Sequence, residues 1–291
     1  MLPDVSIIIP CKNEIDNIKW TLDSILNSKN KLSFEVIVID DGSTDGCCDF
    51  IGKNDYKDVK VIRTEGVGMS IGRNLGVKEA KGEYLFFCDA HVLVPDYWLD
   101  ELVKTLEEND AHAITPTIKI IGTEARGYGG TWNEKLEFTW LVKPEKEVTE
   151  IPFIASCAMG VKKDAFDAVK GFRNHFKVYG MEDQEICLKL WLYGYKVIID
   201  SSVEVQHLYK LKHNYEITNF NIIHNFIYMV HSHFNRDNLS KAIGLYKHYS
   251  GFPEALAEVM LNEAMMEERK ENLNKRVYDE NYFLEKFNIK F

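Results

Sequence analysis

The sequence predicts an α/β fold, with a mostly parallel central sheet covered by helices on both faces and a C-terminal helical extension. Three observations lead there. Continuous apolar runs alternate with helix-periodic stretches through residues 5–91. Three of those runs end in polar turns, at Pro10-Cys11, Asp40-Asp41 and Asp89-Ala90-His91. Beyond about residue 215 the chain turns aromatic and helix-patterned, with no strand-like run.

Val5 to Pro10 is a β-rich run stopped by proline. Ile18, Leu22, Ile25 and Leu26 then share one helix face. Phe34 to Ile39 predicts the second strand and Val59 to Ile62 the third. Ser70 to Ala80 predicts a helix, and Lys81-Gly82-Glu83 turns it into the strand Tyr84 to Cys88. Another helix follows Pro95-Asp96, with Trp98, Leu99, Leu102, Val103 and Leu106 as its apolar face. Ala113 to Ile121 returns as a strand, and residues 122–150 are less regular. Ile151 to Lys162 is a further apolar and small-residue segment. A helix is expected from Met181-Glu182-Asp183-Gln184-Glu185 to Gly194, then strand at Tyr195 to Ile199, continued by Val203 to His207. Ile217 to Phe234 and Asn238 to His248 each predict a helix. Pro253 starts a third, with Leu256, Val259, Met260 and Met265 on one side. Residues 1–215 are thus expected to form a catalytic domain, with 216–291 a helical extension packed on it.

Composition narrows the function classes. A hydrophobic share of 45% against 27% charged suits a globular core. The formal charge of -10 argues against nucleic acid as the main partner, although a local basic patch could still carry phosphate. No stretch approaches the ~18 apolar residues of a membrane span. The start, Met1-Leu2-Pro3-Asp4, lacks a basic signal-peptide region. Six cysteines without paired CxxC spacing read as reduced, partly buried thiols in a cytoplasmic protein. Reactive Cys47-Cys48 or cysteine-bound zinc has weaker support.

In such a fold the loops at the C-terminal strand ends form the crevice for ligands. Asp89 and His91, two residues apart at one such end, can share a divalent cation. The alternative is a polar turn that caps its neighbours. Glu182-Asp183 at a helix start offers either acid–base chemistry or a favourable interaction with the helix dipole. Gly127, Gly129 and Gly130 beside Trp132, Phe138 and Trp140 suit either an acceptor-binding wall or a rigid hairpin. No GxGxxG fingerprint follows the first strand, which weakens a dinucleotide-binding reading.

Pro10, Asn13-Glu14, Asp40-Asp41-Gly42-Ser43, Gly72-Arg73-Asn74, Asp89-Ala90-His91 and Glu182-Asp183-Gln184-Glu185 together resemble inverting glycosyltransferases of family 2, over roughly residues 5–210. That family has the nucleotide-sugar transferase A-type fold. A narrower resemblance joins Asp89-Ala90-His91, the Gly129-Gly130 aromatic segment, Trp191, His207 and His213-Asn214-Tyr215 to the catalytic domain of polypeptide N-acetylgalactosaminyltransferases. The chain departs from those enzymes in lacking their lectin-like C-terminal domain, and in having Glu182-Asp183 where they usually place Glu-Asn.

The resemblances imply a UDP-sugar donor and a cation, Mn²⁺ with Mg²⁺ as the alternative, held by Asp89, His91 and His207. They imply that Asp41 accepts a uracil N–H, that Arg73 reaches a uracil carbonyl, and that Asp40 supports the ribose pocket or the turn, whose boundary Pro10 shapes. A helix cap and a surface ion pair are the alternatives for Asp41 and Arg73. Asp183 is the expected general base, with Glu182 orienting the acceptor or the loop. Trp132, Phe138, Trp140 and Tyr215 are candidate acceptor contacts for a peptide or protein Ser, Thr or Cys, or for a saccharide. Self-association through the C-terminal helices is a further expectation. A nucleotidyltransferase, separable by its phosphate products, and a noncatalytic nucleotide-sugar-binding protein, separable by absence of turnover, are the competing classes.

Overall fold

The structure is a computed structural model that describes residues 2–210 and 214–291. In chain order it runs β1 (Val5–Cys11), α1 (Ile18–Asn27), β2 (Phe34–Asp41), β3 (Lys60–Thr64), α2 (Met69–Glu79), β4 (Tyr84–Cys88), β5 (Val92–Leu93) and α3 (Trp98–Glu108). Next come β6 (Ala113–Ile120), β7 (Arg126–Gly127), β8 (Gly130–Trp132), β9 (Phe138–Trp140), β10 (Val148–Glu150), β11 (Ala158–Lys162), α4 (Lys163–Ala168), α5 (Glu182–Leu192) and β12 (Val197–His207). The chain ends in α6 (Asn219–His233), α7 (Arg236–Tyr246), α8 (Phe252–Leu261), α9 (Glu263–Lys275) and α10 (Glu280–Lys286).

The main sheet has the order β10-β12-β6-β11-β4-β1-β2-β3. β1 pairs in parallel with β2 and β4, β2 with β3, and β6 with β12, as the apolar runs predict. β11 lies antiparallel between β4 and β6, joining the two parallel parts. Side-chain alternation splits the core by sheet face. Ile7, Ile9, Val36, Val38 and Phe86 pack towards α1 and α3, whereas Ile8, Ile37, Ile39 and Phe87 pack towards α2, α5 and α6. Each such side chain contributes roughly 1.5–3 kcal/mol on full burial.

Close approach of β1 to the turn before β4 has a sequence cause. A Cβ on Gly82 would lie 2.6 Å from the Ser6 nitrogen and the Val5 carbonyl carbon. Backbone cannot yield as a side chain can. Gly82→Ala is expected to cost about 1–3 kcal/mol in urea unfolding, and an unchanged midpoint would contradict this packing.

Several boundaries differ from the expectations. The two strand pieces near residues 195–207 are one strand, β12, with its register shifted between Asp200 and Glu204. The third C-terminal helix is two, α8 and α9, because Asn262 has extended backbone and its side chain accepts the Met265 N–H as an N-cap. α4 and α10 carry no long apolar face and were not expected. α6 is buried on all sides from Ile223 to His233 rather than amphipathic. It shares one hydrophobic cluster with the sheet, and Phe226 stacks on Tyr246 with centroids 3.9 Å apart. Among the described residues no helix is long and apolar enough to cross a membrane.

Candidate functional site

Parallel pairing aligns the polar strand ends. Cys11 sits opposite Asp40 in the register of β1 and β2, and β4 delivers Asp89 one strand further along. β12 then brings its last residue, His207, opposite Val92 of β5. The result is a cavity of about 320 Å³ bordered by Pro10, Asp41, Asp89, His91, His207 and Tyr215. Lys12 and Lys210 also line it, beside the carboxylates of Glu14, Asp41 and Asp89. That size lies at the lower end of small-ligand sites.

Asp89 is central. His207 Nε2 lies 3.1 Å and His91 Nε2 3.8 Å from its Oδ2, and the two imidazole centroids are 4.9 Å apart. One donor atom from each of the three lies within 4.8 Å of the others. Burial works against the Asp89 carboxylate. The His207 hydrogen bond and the charges of His207, His91 and Arg73 outweigh it, holding the carboxyl well below its ordinary range. His91 Nδ1 faces Glu14 Oε1 at 3.4 Å, so its Nε2 points at Asp89. Glu14 is itself held by Lys210 and Asn17. Such an outer carboxylate fixes the orientation of an imidazole ligand. Glu14 was quoted in the motif set without a role; its position just after a strand end was the available signal.

The two aspartates of β2 point to opposite faces, as adjacent strand residues must. Asp41 borders the cavity and accepts the Val67 N–H at 2.7 Å, the Gly68 N–H at 3.0 Å and the Thr64 hydroxyl at 2.5 Å. It therefore fixes the loop entering α2. Asp40 faces away from this cavity, accepting the Ser43 N–H at 3.1 Å and lying 3.4 Å from Arg63 Nε. It supports the turn and does not border the cavity.

Arg73 lies neither at the surface nor on the cavity wall. It is 1% exposed, with Nη2 3.7 Å from Asp89, Nη1 3.5 Å from Asp183, and its guanidinium 5.2 Å from the Phe172 ring centroid. Sequence reasoning placed it at uracil; the fold uses it to link the candidate metal carboxylate to the candidate base. Its Nε and Nη1 have no hydrogen-bond partner among the described residues, so the link is electrostatic.

Glu182 and Asp183 open α5 behind Met181, whose φ is 73°. Asp183 accepts the Ser156 N–H at 3.0 Å and the Ser156 hydroxyl, yet 32% of its side chain stays exposed. Burial pushes its carboxyl up, opposed by Arg73 and the Ser156 hydrogen bonds and helped by the Asp89 charge. Burial, then the Asp183 charge, push Glu182 up to about 7. Ser156 was missed because it sits in an irregular segment, 27 residues from its partner.

The aromatic candidates divide. Trp132 is 3% exposed, packed on Phe153 and Phe283, and donates Nε1–H to Gln184 at 2.5 Å. It is core, which corrects its placement at the acceptor. Phe138 and Trp140 belong to the β8–β9 hairpin, and a Cβ on Gly130 would fall 2.0 Å from the Phe138 ring. The glycines make room for rings in a rigid hairpin rather than for a ligand. Trp140 alone is open, at 52% exposure, and does not border the cavity. Tyr215 does border it; His213 lies outside the described residues.

A family profile described as glycosyl transferase family 2 matches residues 6–170, and one described as the N-terminal domain of galactosyltransferase matches residues 143–214. Polypeptide N-acetylgalactosaminyltransferase 11 of Xenopus tropicalis is 27% identical over 240 residues, covering 74% of this chain and 39% of that protein. Polypeptide N-acetylgalactosaminyltransferase 14 of Homo sapiens is 29% identical over 235 residues, covering 74% and 42%. The chain thus spans well under half the length of these curated relatives. A crystal structure of GalNAc-T7 with UDP, GalNAc and Mn²⁺ superposes with a TM-score of 0.78 at 21% identity, covering 98% of this chain and 56% of that one. S. aureus TarS 1-349 in complex with UDP-GlcNAc superposes with a TM-score of 0.60 at 15% identity, covering 93% and 79%. These two likenesses concern the fold.

Proposed function

The chain belongs to glycosyl transferase family 2, and on that premise we propose that it transfers the sugar of a UDP-sugar to a peptide or protein hydroxyl or thiol, inverting the anomeric carbon. The observation that carries this reading is the convergence of Asp89, His91 and His207 in the cavity at the strand ends. One carboxylate and two imidazoles suit Mn²⁺, with Mg²⁺ the less favoured alternative because it prefers all-oxygen sites. When bound, such a cation neutralises charge on the departing diphosphate. We assign the cation to Asp89, His91 and His207, the uracil side to Asp41 and Pro10, and charge on the phosphates to Lys12 and Lys210. Arg73 keeps Asp89 and Asp183 at a fixed separation.

Asp183 is assigned as general base. An acceptor O–H or S–H gives its proton to the Asp183 carboxylate as the heteroatom attacks the anomeric carbon. The bond to the UDP oxygen breaks on the opposite face. Asp183 does not border the cavity itself, but its partial exposure and a carboxyl pushed up by burial both suit a proton acceptor. In the polypeptide transferases that the chain resembles, this position usually carries Asn, which cannot take that proton. Inversion follows from the substitution. Peptide acceptors are supported by the similarity to polypeptide N-acetylgalactosaminyltransferases. Six buried free thiols support a cytoplasmic location. Residues 1–215 would carry the chemistry and 216–291 the support. Leu261 and Val277, both exposed, would supply any self-association through the helices.

The deciding experiment incubates the chain with UDP-sugars, Mn²⁺ and peptide or glycan libraries, read by intact mass and product stereochemistry. Glycopeptide with inverted configuration is expected. Product on free glycans alone would overturn the peptide assignment, and retained configuration would overturn the role of Asp183. Removing divalent cations with a chelator, or replacing Asp89 by Asn, should abolish most transfer, and full activity after either would remove the metal assignment.

The pH dependence has a definite sign. Asp183 works deprotonated, and its carboxyl is raised, so kcat/KM should climb with pH through a range above that of an ordinary carboxylate before it levels off. A profile already flat at pH ~5 would contradict that rise.

A further inference from the structure

A second group of metal-competent side chains lies apart from the carboxylate and imidazoles. Cys11 closes β1, and Cys47 and Cys48 follow the turn after β2. Their sulfurs form a triangle with sides of 3.6 Å for Cys11–Cys47, 3.7 Å for Cys47–Cys48 and 3.7 Å for Cys48–Cys11. None is more than 2% exposed. Among the described residues, only this trio and Asp89, His91 and His207 bring three such ligand atoms so close. Cys88, Cys157 and Cys187 are equally buried but join no such group.

A buried cysteine is ordinarily a small hydrophobe. Three sulfurs in mutual contact are a different object. A tetrahedral zinc site with Zn–S near 2.3 Å has sulfur–sulfur edges of about 3.8 Å, so the three already outline one face of such a tetrahedron. Thiols in van der Waals contact would lie at similar distances; what sets these apart is that three buried sulfurs, from stretches 36 residues apart, meet at one point. Each sulfur lies within S–H···S reach of the other two, with the Cys48 thiol donating to Cys11.

We propose that Cys11, Cys47 and Cys48 form a thiolate site for a thiophilic divalent metal of the zinc class. The three thiols release their protons as the ion binds, and three thiolates with one divalent ion leave a net charge of about -1. A fourth, non-thiol donor completes the tetrahedron. Softness keeps the two sites distinct, because thiolates select zinc-like ions whereas carboxylate and imidazole accept manganese. The site would pin the turn after β2 to the end of β1. Ser43 of that turn accepts the Asn13 N–H at 3.1 Å, and Cys11 borders the cavity, so the pin stiffens the wall on the nucleotide side.

The test uses the full chain, stripped with a chelator and titrated with Cd²⁺ while the ultraviolet thiolate-to-cadmium charge-transfer band is followed. One equivalent should saturate the band, and Zn²⁺ should compete it away. Cys47→Ser should lose it and His207→Ala should keep it. Absence of the band in the unmodified chain, or its survival in Cys47→Ser, overturns the proposal. A second measurement needs no variant. Iodoacetamide labelling in mild urea, mapped by mass spectrometry, should show Zn²⁺ protecting Cys11, Cys47 and Cys48 but not Cys88, Cys157 or Cys187. Equal labelling with and without Zn²⁺, or a disulfide among the three in the stripped protein, overturns it.

Discussion

Replacing Asp183 by Asn is expected to lower kcat by about 10²–10⁴-fold while leaving UDP-sugar binding intact. The shape of the side chain is kept, and Asn can accept the Ser156 N–H with its oxygen while its amide donates to the Ser156 hydroxyl, which turns to accept. What disappears is the capacity to take the acceptor's proton. Arg73 loses one of its two carboxylate neighbours but keeps Asp89 at 3.7 Å. The donor side of the cavity therefore stays built. Single-turnover rates with a peptide, beside UDP-sugar affinity by calorimetry, separate the two effects. Unchanged transfer at saturating substrates would remove Asp183 from the chemistry. Weakened donor affinity with an unchanged chemical rate would make it a positioning residue instead.

Glu185→Leu should be the most destabilising single change, at roughly 3–5 kcal/mol. Glu185 is fully buried one turn after Glu182, and accepts from Arg173 Nε at 2.7 Å and His233 Nε2 at 2.7 Å. Lys189, also fully buried, lies 3.3 Å away and donates to the Gly171 carbonyl at 2.6 Å. Removing this carboxylate leaves the Arg173 cation buried with Glu268 beside it at 3.1 Å, and strips the counter-charge from Lys189, whose ammonium burial already pushes down to about 7. That cost is a large fraction of the ~5–15 kcal/mol that holds a domain folded. Burial opposes the ionised Glu185, but Arg173, Lys189 and His233 prevail and hold its carboxyl well below the ordinary value. Its contribution is therefore complete above the unfolded carboxyl value and is lost as pH falls towards the folded one. Burial also pushes His233 down to about 4, against the Glu185 hydrogen bond. The unfolded chain thus takes up a proton that the folded chain declines, so wild-type stability should fall between about pH 6.5 and 4. Urea unfolding of both proteins across that range checks each part. A Glu185→Leu protein as stable as wild type at neutral pH would show that the cations find other compensation.

Much of this architecture is legible in the sequence because its signals are local. Ile7 to Ile9 and Val36 to Ile39 declare buried parallel strands by apolar continuity, and the polar residues directly after them mark the crevice edge. Asp89, His91 and His207 were reachable because Asp89 directly follows β4, His91 directly precedes β5 and His207 ends β12. Residues whose roles depend on long-range packing were not. Trp132 looks like a sugar-binding ring in sequence, and only the distant Phe283 reveals it as core. Arg73 sits on α2, a helix whose modest apolar face gave no hint that this cation would be buried between carboxylates from β4 and α5. The break at Asn262 was hidden because the apolar spacing runs through it, whereas the capping hydrogen bond is a matter of three-dimensional geometry.

Asn225 gives the C-terminal helices a meaning for any attempt to shorten the chain. From inside α6 its side chain accepts the Lys177 N–H at 2.7 Å and donates to the carbonyls of Lys177 at 2.8 Å, Tyr179 at 3.2 Å and Gly180 at 2.9 Å. Val178 and Tyr179 of that segment border the donor cavity, and Met181 leads directly into Asp183. A fragment ending near residue 215 would thus keep the residues assigned to chemistry and discard the splint that shapes the strap between them. Interchanging such tails among related enzymes would be a graft onto the reaction chamber itself, with Asn225 as the stitch that has to be carried along.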